Sequence, residues 1–170
     1  MRIKADFVTN SSSSSFIVFF PYPIETLSNV TKYIKREDFA EQIFKDADNQ
    51  NPFIVKPNRE CVSTIFDELD HGYLSEFDFN FWEAEKEYCE KHGITEEQLA
   101  DNMHWRDQAW SAAEAKKSEQ LTIKALEVAK EYEGKYAYIF EYGDEDGNFF
   151  SELEHQNDWG GLPHIRISHH

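Results

Sequence analysis

Two clusters of side chains suited to chemistry lie at opposite ends of this 170-residue chain. Near the start, Asn10 is followed by an unbroken serine run, Ser11, Ser12, Ser13, Ser14 and Ser15. Such a run concentrates hydroxyls and backbone N–H groups. In a loop it could cradle a phosphate or a nucleotide, satisfy the backbone ends of neighbouring strands, or present one nucleophilic serine to a histidine. Near the end stand Glu152, Glu154, His155, Asp158, His164, His169 and His170. Carboxylates and neutral imidazoles are the ligands of zinc and similar divalent ions, and three or four of them make an open, catalytic-type site. The expected set is Glu154, His155, His164 and His169. No HExxH or HxH spacing fixes a geometry, so ordinary strand ends and surface histidines account for the same residues. His169 and His170 also stand where a purification tag would leave histidines.

For the two clusters to share a site, the elements carrying them must meet. Phe16–Phe20 (FIVFF) is rich in β-branched and aromatic residues and reads as a buried strand, ended by Pro21 and Pro23. With Arg2–Val8 alternating weakly on its other side, the serine run reads as a loop with anchored ends. Tyr136–Tyr142 is a second strand. Across an Asp144–Gly147 turn, Asn148–Glu154 is expected to return antiparallel to it, and His164–Ser168 to form a last strand. Asp144, Asp146 and Asn148 imitate the start of a calcium-binding EF-hand loop. The twelfth position is His155 where that loop needs Glu, and a hairpin turn fits better.

Between these strands the pattern is helical. Phe39, Ile43 and Phe44 mark a helix over Glu37–Asn49, and Val62, Ile65, Phe66 and Leu69 another over Arg59–Asp70 behind the N-cap Asn58. Phe53–Val55 fits a brief edge strand. Thr95-Glu-Glu-Gln98 is a capping box, Gly93 suits a helix C-terminus, and Asp107–Tyr132 lacks Gly and Pro and reads as one long helix. Phe77–Phe81 alternates with period two like a strand, yet runs straight into the helical Trp82–Lys91. The expected fold is α+β: one domain over 1–170, with a small, mostly antiparallel sheet built from both chain ends and a helical insertion over about 37–132.

Composition bounds the partners. Apolar residues make up 40% of the chain and aromatics 15%, enough for a real core. A net charge of −16 disfavours direct grip on nucleic-acid phosphates or on anionic membranes. It suits cations, a basic protein partner, or mimicry of nucleic acid toward such a partner. Cys61 and Cys89 have no partner at metal-ligand spacing and read as reduced thiols of a cytoplasmic protein, and no signal peptide or membrane span is visible.

The opening Met1-Arg-Ile-Lys4 with Phe7-Val-Thr-Asn-(Ser)5-Phe16 resembles an N-terminal signature recurring in uncharacterised bacterial and phage proteins. The stretch from Asp146-Gly147 through Leu153-Glu-His155 and Pro163-His164 to His170 is similar to the tails of some of them. The resemblance implies a bacterial or phage setting and no particular reaction.

Two functions are therefore expected as rivals. In the first, slightly favoured by polar residues gathered at two ends of one sheet, the Asn10–Ser15 loop binds a small anionic, phosphate- or nucleotide-type ligand. The Glu154/His155/His164/His169 cluster then holds a divalent metal or acts as acid and base. In the second, the chain is an acidic interaction protein, such as a phage-type inhibitor or nucleic-acid mimic, with no catalytic activity.

Overall fold

The computed structural model describes residues 13–71, 77, 79–143 and 159–168. The expected α+β architecture is present, with a sheet drawn from both chain ends. Strand β1 spans Ser13–Phe20, β2 Phe53–Ile54, β3 Tyr136–Gly143 and β4 His164–Ser168. Their order is β2-β3-β1-β4, and every pairing is antiparallel. The helices are α1 (Leu27–Thr31), α2 (Glu37–Asp48), α3 (Arg59–Asp70), α4 (Phe81–His92), α5 (Glu96–Asp101) and α6 (Met103–Glu131).

β1 is the central strand, and alternation sends its side chains to two separate cores. Phe16, Val18 and Phe20 join Tyr138, Phe140 and Tyr142 of β3 under Val30, Ile34, Phe39 and Ile43 from the α1–α2 region. Ile17 and Phe19 join Val55, Cys61, Ile65 and Leu69 beside Leu121, Ala125, Val128 and Ala129 of α6. A strand covered on both sides has no need of polar alternation, which is why Phe16–Phe20 reads as one apolar run.

Local signals set the helix ends. The Asn58 side chain accepts the Cys61 N–H at 2.9 Å, and that of Asn80 accepts the Glu83 N–H at 3.1 Å. Thr95 and Gln98 cap each other at α5, and Gly93 ends α4 with φ 67°. One boundary that the sequence leaves open is decided, one expected start moves, and one element is added. Phe77–Phe81 does not form a strand in its described residues: Phe81 opens α4, because Asn80 caps the helix there. The period of two survives as a ring ladder, with Phe77 against Phe79 at 6.4 Å and Phe79 against Phe81 at 4.9 Å. The long helix begins at Met103, four residues before Asp107, because the Asn102 side chain accepts the His104 N–H at 3.0 Å. And α1, unforeseen, forms where Asn29 Oδ1 accepts the Thr26 N–H at 2.9 Å.

Gly160 is fixed by a close approach. It adopts φ 59°, and a Cβ there would lie 2.1 Å from the Tyr33 carbonyl oxygen. The turn it makes seats Trp159, fully buried, between Phe16 and Phe140, each ring at 5.4 Å. Gly161, with φ 80°, has open space at the same position. Gly160→Ala is expected to destabilise the fold by about 2–4 kcal/mol, and Gly161→Ala by only about 1, from strain at positive φ. Urea unfolding midpoints of the two variants test this contrast. Equal shifts would mean that the Tyr33 contact is not tight.

Candidate functional site: an acidic interaction surface

The serine run is the first place where structure and expectation part. Ser13, Ser14 and Ser15 are not a loop but the opening residues of β1, and Ser14 and Ser15 are almost wholly buried, at 0% and 1% exposure. The physical reason is pairing. Ser14 is flanked by Tyr142 and Ser168, and Ser15 by Glu141 and Ile167, so both serine backbones are held on two sides. Asn10, Ser11 and Ser12 lie outside the described residues, as do Glu154, His155 and His169 and the expected Asn148–Glu154 strand.

His164 opens β4 opposite Val18, four residues along from the Ser14–Ser168 pair. At about 3.3 Å per residue this is about 13 Å along the strand. His164 and Ser14 therefore cannot both touch one small ligand atom, although the sheet does bring the two chain ends side by side. The His164 ring is otherwise occupied: Nδ1 is 2.9 Å from the Leu162 carbonyl oxygen, and the ring lies 6.1 Å from that of Trp159. Arg166, missed by the sequence reading, follows on the same face opposite Phe16. The alternation of His-Ile-Arg-Ile-Ser already carries this placement, since Ile165 and Ile167 pack into the other core. A cleft of about 410 Å³ opens beside Ser13, Ser14, Tyr142 and Gly143. Among the described residues no group of three or more His, Cys, Asp or Glu side chains could hold a metal ion. Among the described residues, the buried Trp159 Nε1 and Ser168 Oγ meet no hydrogen-bond partner.

The second place is the helical arm. The C-terminal half of α6 packs on the sheet through Leu121, Ala125, Val128 and Ala129. Its N-terminal half buries Ala109 and Ala113 in a region that packs with α4 and α5. Polar ties hold the arm in place. Lys117 pairs with Asp70 at 2.7 Å, Lys116 pairs with Glu87, and the Tyr88 hydroxyl donates to Gln108 at 3.1 Å. The Lys116 ammonium also lowers the Glu87 carboxyl pKa below its usual value.

On this scaffold large apolar side chains face solvent: Met103 is 75% exposed, Trp82 65% and Trp110 52%. Trp110 stacks on Phe81 at 5.0 Å, and Lys86 lies over the Trp82 ring. A cleft of about 310 Å³ between α4 and α5 is lined by Trp82, Cys89, Ile94 and Leu99 with Glu85 and Glu90 on its rim. Burial pushes the Cys89 thiol pKa up, with Glu85 adding to the effect, which disfavours its reactive thiolate form. Cys61 is likewise buried.

No protein-family model matches the chain, and neither a curated protein nor a solved structure matches it. Among the described residues no helix is long and apolar enough to cross a membrane.

Burial of the serines is open to a direct check. Ser14→Glu and Ser15→Glu each place an uncompensated carboxylate inside the sheet and are expected to cost about 3 kcal/mol or more. Chemical denaturation measures this. Midpoints unchanged from the parent would return these serines to a solvated loop.

Proposed function

We propose that this chain is an acidic protein-interaction module that docks on a basic partner surface through its α4–α6 arm. The observation that carries this reading is the exposure of Trp82, Trp110 and Met103 on a braced helical scaffold, while Phe16–Phe20 of the central strand are buried between helices. Tryptophan and methionine are enriched in interfaces, and tryptophan contributes large contact area at little entropic cost. Their rim here carries carboxylates, and the whole chain has a net charge of −16, which speeds encounter with a basic surface and repels nucleic acid and anionic lipid. Neither a cofactor nor a catalytic side chain is required. An inhibitor or nucleic-acid mimic of bacterial or phage origin is the narrower form of the same reading.

The test is capture from bacterial extract followed by reconstitution with the purified captured protein. A basic partner is expected, bound about tenfold or more weakly after Trp82→Ala with Trp110→Ala, and released as salt rises from about 0.1 to 0.5 M. Binding that survives loss of both tryptophans removes this reading.

The ligand-binding alternative keeps one favourable observation: Ser168 of β4 pairs with Ser14, at the end of β1 that borders the cleft at Ser13 and Ser14. A small anion there, with zinc or a similar ion held by Glu154, His155 and His169, would give stoichiometric metal in untagged protein. It would also make stability sensitive to His155→Ala. The interaction reading predicts neither.

A further inference from the structure

The cleft between α4 and α5 has walls that the backbone holds in place. Trp82, Glu85, Lys86 and Cys89 recur at helical spacing, so one face of α4 makes the first wall. Ile94 and Leu99, across the α4–α5 turn, make the second. After α4 the Ile94 N–H donates to the Cys89 carbonyl at 2.9 Å, and the Gly93 N–H donates to that of Glu90 at 3.3 Å. With Gly93 at φ 67° this is a Schellman ending, which turns the residue after the glycine back toward the last helical turn, here Ile94 toward Cys89. α5 is held at both ends. Thr95 and Gln98 cap its start, and the Arg106 guanidinium of α6 donates to the Leu99 carbonyl at 3.3 Å and to that of Ala100.

Inside, the cleft is apolar. Cys89 is buried, Ile94 and Leu99 are half-buried, and Trp82 stands exposed at the mouth. Its volume of about 310 Å³ lies at the lower end of the range for small-ligand pockets and suits one or two side chains. The rim is acidic. Glu85, Glu90 and Glu96 border the cleft against one cation, Lys86. That ammonium is itself engaged, 3.9 Å from the Glu90 carboxylate and 5.5 Å from the Trp82 ring centre. α5 adds Glu97 and Asp101 and carries no cation. An apolar interior ringed by carboxylates complements an apolar anchor flanked by positive charge.

The geometry points to this cleft as the anchor pocket of the arm, taking one large apolar side chain, such as leucine, from a lysine- or arginine-rich segment of the partner protein. The inference rests on the interaction reading above and names the part of the partner that the arm holds. Burial of the anchor among Cys89, Ile94 and Leu99 supplies affinity. Cations on either side of it meet the Glu85, Glu90 and Glu96 rim and set orientation and encounter rate. Because both walls are already braced, little ordering on this side opposes binding. A second copy of this chain is a poor occupant, since it brings carboxylates to carboxylates between molecules that each carry −16. The same repulsion disfavours fatty acids and anionic lipids.

The test uses the full chain, isotope-labelled and followed by nuclear magnetic resonance. It is titrated with a capped nonapeptide of lysine and alanine that has one central leucine. Two control peptides replace the leucine by alanine, or every lysine by glutamate. The leucine–lysine peptide is expected to shift the Ile94 and Leu99 resonances, and each control to bind about tenfold or more weakly. Raising salt from about 0.05 to 0.5 M is expected to weaken the leucine–lysine peptide severalfold. Leu99→Asn, which puts an amide in the cleft wall, is expected to weaken it about tenfold. If that variant does not keep the parent's melting curve, Glu90→Gln with Glu96→Gln, both exposed, is expected to weaken it severalfold on an intact fold. Equal binding of either control peptide overturns the proposal. So does a leucine–lysine peptide that leaves Ile94 and Leu99 unshifted at millimolar concentration. Failure of the arm and failure of the cleft are read separately. A captured partner that needs Trp82 and Trp110 but is indifferent to Leu99→Asn keeps the arm and removes the cleft as its anchor. A peptide seated in the cleft, beside a partner indifferent to both tryptophans, keeps the cleft and removes the arm reading.

Discussion

The double burial of β1 constrains everything around it. A strand whose residues Phe16–Phe20 are all at 0% exposure must have a helical layer on each face and a paired neighbour on each edge. The chain meets these needs from far-apart segments. The α1–α2 region covers the face of Phe16, Val18 and Phe20, and α3 with α6 covers the face of Ile17 and Phe19. The edges are closed by β3 and β4, the latter from the last described residues. Loss of any one of these would expose an aromatic or β-branched side chain, so the elements depend on each other through this strand. The buried Ser14 and Ser15 follow from the same geometry. They extend the paired strand to its N-terminal end, and hydroxyls there are carried inward with the backbone.

This constraint also explains which parts of the fold were legible in the sequence. Phe16–Phe20, Tyr136–Tyr142 and the stripes of α2 and α3 announce themselves by periodicity, and Asn58, Thr95 and Gly93 by capping chemistry. The extent of β1 was not legible. Serine has weak strand preference, and its place in the sheet is decided by cross-strand partners more than a hundred residues away, Tyr142 and Ser168. Phe77–Phe81 stays ambiguous in the sequence for a related reason: alternation reports which side a ring faces, not whether a neighbouring strand exists to bond the backbone. The expectation that both chain ends share a sheet held. Within the described part of the expected site, antiparallel register places His164 opposite Val18, four residues along from the Ser14–Ser168 pair.

The arm surface was not visible as a motif. The arm depends on which aromatic residues stay uncovered. Phe81 and Trp110 differ little in a sequence pattern, yet one is half-buried and the other half-exposed because Phe81 faces α6 while Trp110 lies at its flank.

Charge then separates what the surface can accept. Beside β3, Asp46 of α2 and the exposed Glu141 of the sheet line one groove, so carboxylates from two elements stand together there. A surface of that sign favours cations and basic segments over acidic ones. The Tyr142–Asp46 bond joins that selectivity to the core, since the ring that positions the acid also packs beside Phe140 at 6.3 Å. The acidity of the chain thus acts at a defined place in the fold as well as over its whole surface.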